Sequence, residues 1–144
     1  MARWMVWYVP TYSPADAGEW VRHSCSQHEA KTGYHFAICD DGGDLIGVIS
    51  LEDVDLRTGT AMLGYWVATP ATGQGAATAA IRRVLAWASV HTPIRRIWAL
   101  IAADNRASRR VAEANGLRRV PVSLQLADPQ QLRYEIELPT GSAA

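Results

Sequence analysis

Gly73-Gln74-Gly75 and, further along the chain, Asn105 and Ser108 are residues whose types and setting suggest chemistry. Glycines let a backbone curl close to a ligand. Where a helix follows, its free N–H groups and its dipole favour an anion such as phosphate. Thr78, in the first turn of the helix expected there, adds a hydroxyl donor. A glycine pair at a strand-to-helix turn is equally an ordinary turn device, so this feature needs a second one beside it. Two familiar phosphate loops are excluded. There is no Gly-Lys-Ser/Thr, and hence no Walker A loop. A dinucleotide fingerprint needs a third glycine where Thr78 stands. It also needs an acidic residue ~20 positions on, where the chain has Trp98 and its neighbours. No histidine among His23, His28, His35 and His91 has a His partner at ligand spacing, so no metal is expected. Cys25 and Cys39 form no CxxC and no disulfide framework, which points to a reducing cytoplasm.

The elements that must position these residues follow from periodicity. Ser13-Pro14-Ala15-Asp16 reads as a helix start, with a capping hydroxyl, proline in the first turn and an acid behind it. That helix should run to about residue 30 and end near Gly33. Strands are expected over 35–39, 45–51 and 60–67, joined by the Asp40-Asp41-Gly42-Gly43 and Arg57-Thr58-Gly59 turns into an antiparallel meander. A helix over 75–90 carries Ile81, Val84, Leu85 and Ala88 as one apolar stripe, with Arg82 and Arg83 off it. A strand over 96–101 makes strand–helix–strand, a parallel crossover. Asn105 can cap a short helix that Gly116 stops, and strands over 119–126 and 132–138 follow. The class is α/β with a mixed sheet, in one domain over 1–139 with a flexible tail at 140–144. Trp20 and Trp87 suit helix packing, while Trp4 and Trp7 could line a cleft.

The 144 residues balance 14 Lys+Arg against 14 Asp+Glu. Zero net charge argues against a nucleic-acid binder, since phosphate affinity comes from excess Lys and Arg. Residues 1–72 nevertheless hold four basic and nine acidic side chains, and residues 73–144 ten and five. Such a split suits a cationic ligand on one half and an anionic one on the other, or a solvated surface with no ligand. No stretch reaches the ~18 apolar residues of a membrane span, and the N-terminus lacks a signal-peptide pattern.

Several of these segments, in order, resemble one family. Gly64-Tyr65-Trp66-Val67, then Thr72-Gly73-Gln74-Gly75-Ala76-Ala77-Thr78, then Asn105-Arg106-Ala107-Ser108-Arg109-Arg110-Val111-Ala112-Glu113 with Gly116-Leu117, look like the GNAT superfamily of acyl-CoA N-acyltransferases. More narrowly, they resemble its ribosomal-protein-alanine (Rim-type) branch, over about residues 3–137. The resemblance implies a mostly antiparallel mixed sheet with flanking helices and a central strand that splays at Val67. Pantetheine would enter that splay beside Trp66 and Val67, and CoA pyrophosphate would sit on Thr72 to Thr78. Asn105 would lie by the pantetheine arm, Ser108 near the thioester sulfur, and Arg109, with Arg82, Arg83, Arg106 and Arg110, near phosphates.

The family reaction is direct attack of a neutral amine on an acyl thioester, with acetyl-CoA as co-substrate. The backbone N–H near Val67 is the expected oxyanion donor, and Ser108 the expected acid or steadying donor for the thiolate. Many family members place a tyrosine four residues beyond, where this chain has Ala112. The branch often carries glutamates where this chain has Met62 and Trp98, which leaves Glu52, Asp53, Asp55 or a water relay as base. An α-amine, with pKa ~7.7–8.0, is roughly a tenth neutral at pH 7, whereas a lysine amine at ~10.4 needs more help. A protein N-terminus therefore suits the site. The alternatives are a small antibiotic or metabolite amine, and a catalytically silent CoA-binding domain. By the same alignment residues 3–12 resemble the loop after the family's first strand and helix. This implies that the family's first strand and helix are missing: residues 3–9 substitute as an edge strand, the start is misassigned, or the chain is truncated and its open edge needs a partner, with a homodimer as one possibility.

Overall fold

A computed structural model describes residues 14–68, 75–121 and 130–139. Expectations resting on Ser13, on the segment carrying Trp4 and Trp7, and on Thr72, Gly73 and Gln74 lie outside the described residues.

Helix α1, Pro14–Ala30, precedes a meander of β1, Tyr34–Cys39, β2, Leu45–Asp55, and β3, Thr60–Val67. Helix α2, Ala76–His91, crosses over to β4, Arg96–Ala102, and α3, Arg106–Ala114, leads to β5, Arg118–Val120, and β6, Gln131–Glu137. The strands form one sheet in the order β1-β2-β3-β4-β6-β5. Only β3 and β4 run parallel, which is what a crossover through α2 requires. The meander, the crossover and the mixed sheet are therefore as expected.

Among the described residues, β2 differs from the sequence reading. Strand β2 extends through Glu52 and Asp53 to Asp55, where a loop is expected after residue 51. It continues by absorbing an irregularity between Glu52 and Asp55, with Asp53 in the left-handed region at φ 48°. Bulges of this kind carry polar residues along a strand that alternation alone would end. Strand β5, Arg118–Val120, stands at the start of the strand expected over 119–126, whose remainder from 122 lies outside the described residues.

Residues paired across strands share a face of the sheet. One face carries Leu51, Ala61, Leu63, Ile97, Ala99, Ile101 and Tyr134, and packs with Ile81, Val84, Leu85 and Ala88 of α2 and Ala112 of α3 into the core. The apolar stripe expected on α2 is thus the buried one. Trp87 packs its ring at 5.0 Å from Tyr34 and 5.1 Å from Phe36. Trp20, by contrast, stays 40% exposed and sets its ring edge against His35 on the opposite face. Among the described residues no helix is long and apolar enough to cross a membrane.

Candidate active site

The site begins where two parallel strands part. Strands β3 and β4 pair only through Thr60↔Arg96, Ala61↔Ile97 and Met62↔Trp98. Beyond Met62, β3 stays with β2 as far as Val67↔Gly47, while β4 stays with β6 as far as Ala102↔Gln131. The splay therefore opens at Met62, five residues before Val67, and Val67 lies at its wide end. Ala68 donates its N–H to Ile46 O at 2.7 Å, toward β2. Alternation along a strand then turns the N–H groups of Tyr65 and Val67 the other way, into the gap that β4 has left. Gly47 makes this course possible. A Cβ there would collide with the Trp66 carbonyl oxygen and lie 3.1 Å from Val67 Cα.

Helix α3 provides the far wall. Asn105 caps it, its side-chain oxygen accepting the Ser108 N–H at 3.2 Å as a short polar side chain does at a helix start. Tyr65, on β3, donates its hydroxyl to the Ser108 carbonyl at 2.9 Å. One bond thus ties the two sides of the opening together. Burial pushes the Tyr65 phenol up to about 12, against the lowering effect of the Ser108 side chain, so it remains a donor at neutral pH. Both backbone groups of Ser108 are held. Its side chain also hydrogen-bonds toward the Tyr65 phenol, which places the hydroxyl at the opening. Tyr65 escaped sequence reasoning as a separate site residue; its signal was an aromatic on the core side of a strand that lacks a partner.

Arg109, expected near phosphates, also has partners within the fold. Its Nε donates to the Tyr134 hydroxyl at 3.1 Å and its Nη1 to the Ala103 carbonyl at 3.0 Å. Tyr134 in turn donates to Glu113 at 3.1 Å. Through these two nitrogens the guanidinium clamps α3 onto β6 and the end of β4. Arg82, Arg83, Arg106 and Arg110 are exposed on α2 and α3.

At the other end of the opening stands the start of α2. Gly75 is its N-cap, in the left-handed conformation at φ 77° and ψ 5°, with no side-chain cap and no acid in the first turn. Ala76, Ala77 and Thr78 form that turn and are half-buried. Its N–H groups have no competing side-chain acceptor at the cap, so an anion can take them.

The sheet face away from α2 and α3 carries the acids. Glu52 pairs with Met62, Met62 with Trp98, Trp98 with Glu135 and Glu135 with Arg118, so these five share one row across the sheet at the fork of the splay. Glu52 is half-buried and accepts a hydrogen bond from Ser50 Oγ at 2.8 Å. Glu52 therefore lies beside Met62, one of the two positions where a glutamate is expected and missing. Asp55 has another task. It accepts the N–H groups of Arg57 and Thr58 at 2.9 and 3.2 Å, which hold its carboxyl below the ordinary range. Asp53 is exposed. Of the three acids considered for the base, Glu52 alone combines partial burial with the row at the splay. Next to Ser50 on β1 is His35, whose Nε2 lies 2.8 Å from Gln27 Oε1. Burial lowers its pKa, against the raising effect of Glu52.

The acetyltransferase (GNAT) domain family matches residues 1–118. The chain belongs to this family. It is 30% identical over 106 residues to YdaF of Bacillus subtilis (strain 168), by its name a candidate ribosomal N-acetyltransferase. That match covers 74% of this chain and 55% of YdaF, so the chain spans little more than half the length of that curated relative. Among solved structures, RimL, a ribosomal L7/L12 α-N-protein acetyltransferase in complex with coenzyme A, matches at a TM-score of 0.85. Identity is 19%, over 96% of this chain and 80% of RimL. Spermidine N-acetyltransferase from Vibrio cholerae, in complex with CoA and spermine, matches at 0.74. There identity is 18%, over 90% of this chain and 78% of that one. The Rim-type resemblance thus holds in sequence and fold. The GNAT frame also explains why a parallel pair opens in mid-sheet, a feature that costs backbone hydrogen bonds unless a ligand takes them.

Proposed function

We propose that this chain is an acetyl-CoA-dependent N-acetyltransferase whose acceptor is the α-amine of a protein N-terminus. The observation that carries this reading is the splay beyond Met62↔Trp98, with strand donors on one side and the Ser108 hydroxyl on the other.

In this reading the acetyl-thioester lies in the splay along Trp66 and Val67, with the pantetheine arm beside Asn105. The CoA pyrophosphate sits at Thr72 to Thr78, where Gly75 and the first turn of α2 offer N–H groups. The acceptor nitrogen attacks the thioester carbonyl and a C–N bond forms. Negative charge on the carbonyl oxygen is met by the Val67 N–H, already oriented. Collapse breaks the C–S bond, and the Ser108 hydroxyl donates to the leaving sulfur. The Glu52 carboxylate, at the end of a water relay along β3, takes the proton that the attacking amine loses. Holding amine and thioester together supplies much of the rate without further groups. An α-amine, partly neutral at pH 7, suits a site with one such carboxylate.

A small-molecule acceptor is the second reading, favoured by fold likeness to the spermidine enzyme. A peptide bearing a free N-terminus and one internal lysine separates protein α-amine from side-chain chemistry. Acetyl found on the N-terminal nitrogen is the expected outcome; acetyl confined to lysine, or to free polyamines, refutes the α-amine assignment. Within the site, Ser108→Ala is expected to lower kcat by about tenfold or more with little change in acetyl-CoA affinity. An unaltered kcat removes Ser108 from the thiolate role.

A further inference from the structure

The row at the fork of the splay also bears on which amines are accepted. On its β4–β6 side, Arg133 donates Nε to Glu135 Oε1 at 2.8 Å, with the two side chains 21% and 26% exposed. The same guanidinium lies over the Trp98 ring, 4.5 Å from its centre. Arg133 pairs with Leu100 in register, and Leu100 remains 40% exposed beside them. Glu135 is therefore neutralised by a partly buried, charge-assisted bond, and one face of the indole already holds a cation.

An acceptor approaching Glu52 meets Met62 and Trp98 next along the row. A second ammonium placed there would face the Arg133 charge, find one indole face taken and find Glu135 engaged. An apolar or aromatic group would instead meet a thioether and an indole, both polarisable surfaces suited to it.

We infer that Met62 and Trp98, with Arg133 laid over Trp98, select acceptors whose amine-bearing carbon carries an apolar or aromatic group and reject di- and polyamines. This inference rests on the acetyl-transfer reading above and adds the acceptor class to it. Its probes are phenylalaninamide, an α-amine with an aromatic side chain and no carboxylate, and spermidine. The native chain should use phenylalaninamide with a kcat/KM at least about tenfold above that for spermidine. Trp98→Glu should narrow that ratio by about tenfold or more, while Trp98→Phe keeps it. Arg133→Gln, at a partly exposed side chain, should narrow it in the same direction by freeing Glu135 for an ammonium. Equal or better use of spermidine by the native chain overturns the inference, as does a loss in Trp98→Glu or Arg133→Gln that falls on both amines alike.

Calorimetric binding of each amine in the presence of CoA gives a readout that needs no transfer. Preference for phenylalaninamide without release of CoA from acetyl-CoA supports the inference and defeats the transferase reading. Transfer to both amines without preference does the reverse. Binding of neither amine together with no transfer overturns both.

Discussion

Glu52→Gln is expected to lower kcat by about a hundredfold or more while acetyl-CoA binds as before. The glutamine keeps the size of the side chain and an oxygen for the Ser50 hydroxyl, which donates to Glu52 at 2.8 Å, so the strand has no reason to refold. What disappears is the proton acceptor at the fork of the splay. Neither Asp53, exposed on the strand, nor Asp55, holding the Arg57 and Thr58 N–H groups, is placed to replace it. The loss should shrink as pH rises past the pKa of an α-amine acceptor, ~7.7–8.0, because more of the amine then arrives neutral. Steady-state rates across that range check both statements. A kcat equal to the parent's at neutral pH assigns the proton to water and leaves Glu52 as strand structure.

Gly75→Val is expected to weaken acetyl-CoA binding by about a hundredfold or more and to leave a single cooperative melt. The cause is conformational. A Cβ on Gly75 meets nothing within 4 Å, but the residue sits at φ 77°, where a β-branched side chain is strained by about 1–3 kcal/mol. The backbone relieves that strain by rotating, and the first N–H groups of α2 turn with it. Each charge-assisted bond lost to a pyrophosphate is worth about 1.5–3 kcal/mol, so misaligning two suffices for the predicted loss. Gly75→Ala, which tolerates the left-handed region better, should fall between the two. Unchanged affinity in Gly75→Val would sink the pyrophosphate assignment.

Much of the fold was legible because its signals are local. The α2 stripe of Ile81, Val84, Leu85 and Ala88 is buried as its spacing requires, and β3 has the bounds that alternation and turns implied. Asn105 caps α3 as a residue of its type does at a helix start. What local signals could not show is which residues meet across strands. Glu52 stood in an expected loop, whereas β2 runs on past Leu51 in unbroken register and pairs it with Met62. The Tyr65–Ser108 bond joins residues 43 apart, and no periodicity announces such a contact. Arg109 carries a structural role that its type and position did not announce. An arginine near an expected phosphate site invites a ligand, and two of its nitrogens also bond Tyr134 and Ala103, residues that no local pattern joins to it. The charge split between the two halves is also more local than it looked, since Arg133 and Glu135, both in the basic half, neutralise each other.

Release of free CoA thiol from acetyl-CoA, followed with and without a peptide bearing a free α-amine, tests the transferase claim most directly. Acetyl transfer into the splay requires amine-dependent release, matched one-for-one by N-acetylated peptide and reduced together in Glu52→Gln and Ser108→Ala. Tight acetyl-CoA binding with no release above background, across α-amine peptides and small amines alike, would contradict it and leave a CoA-binding domain without turnover.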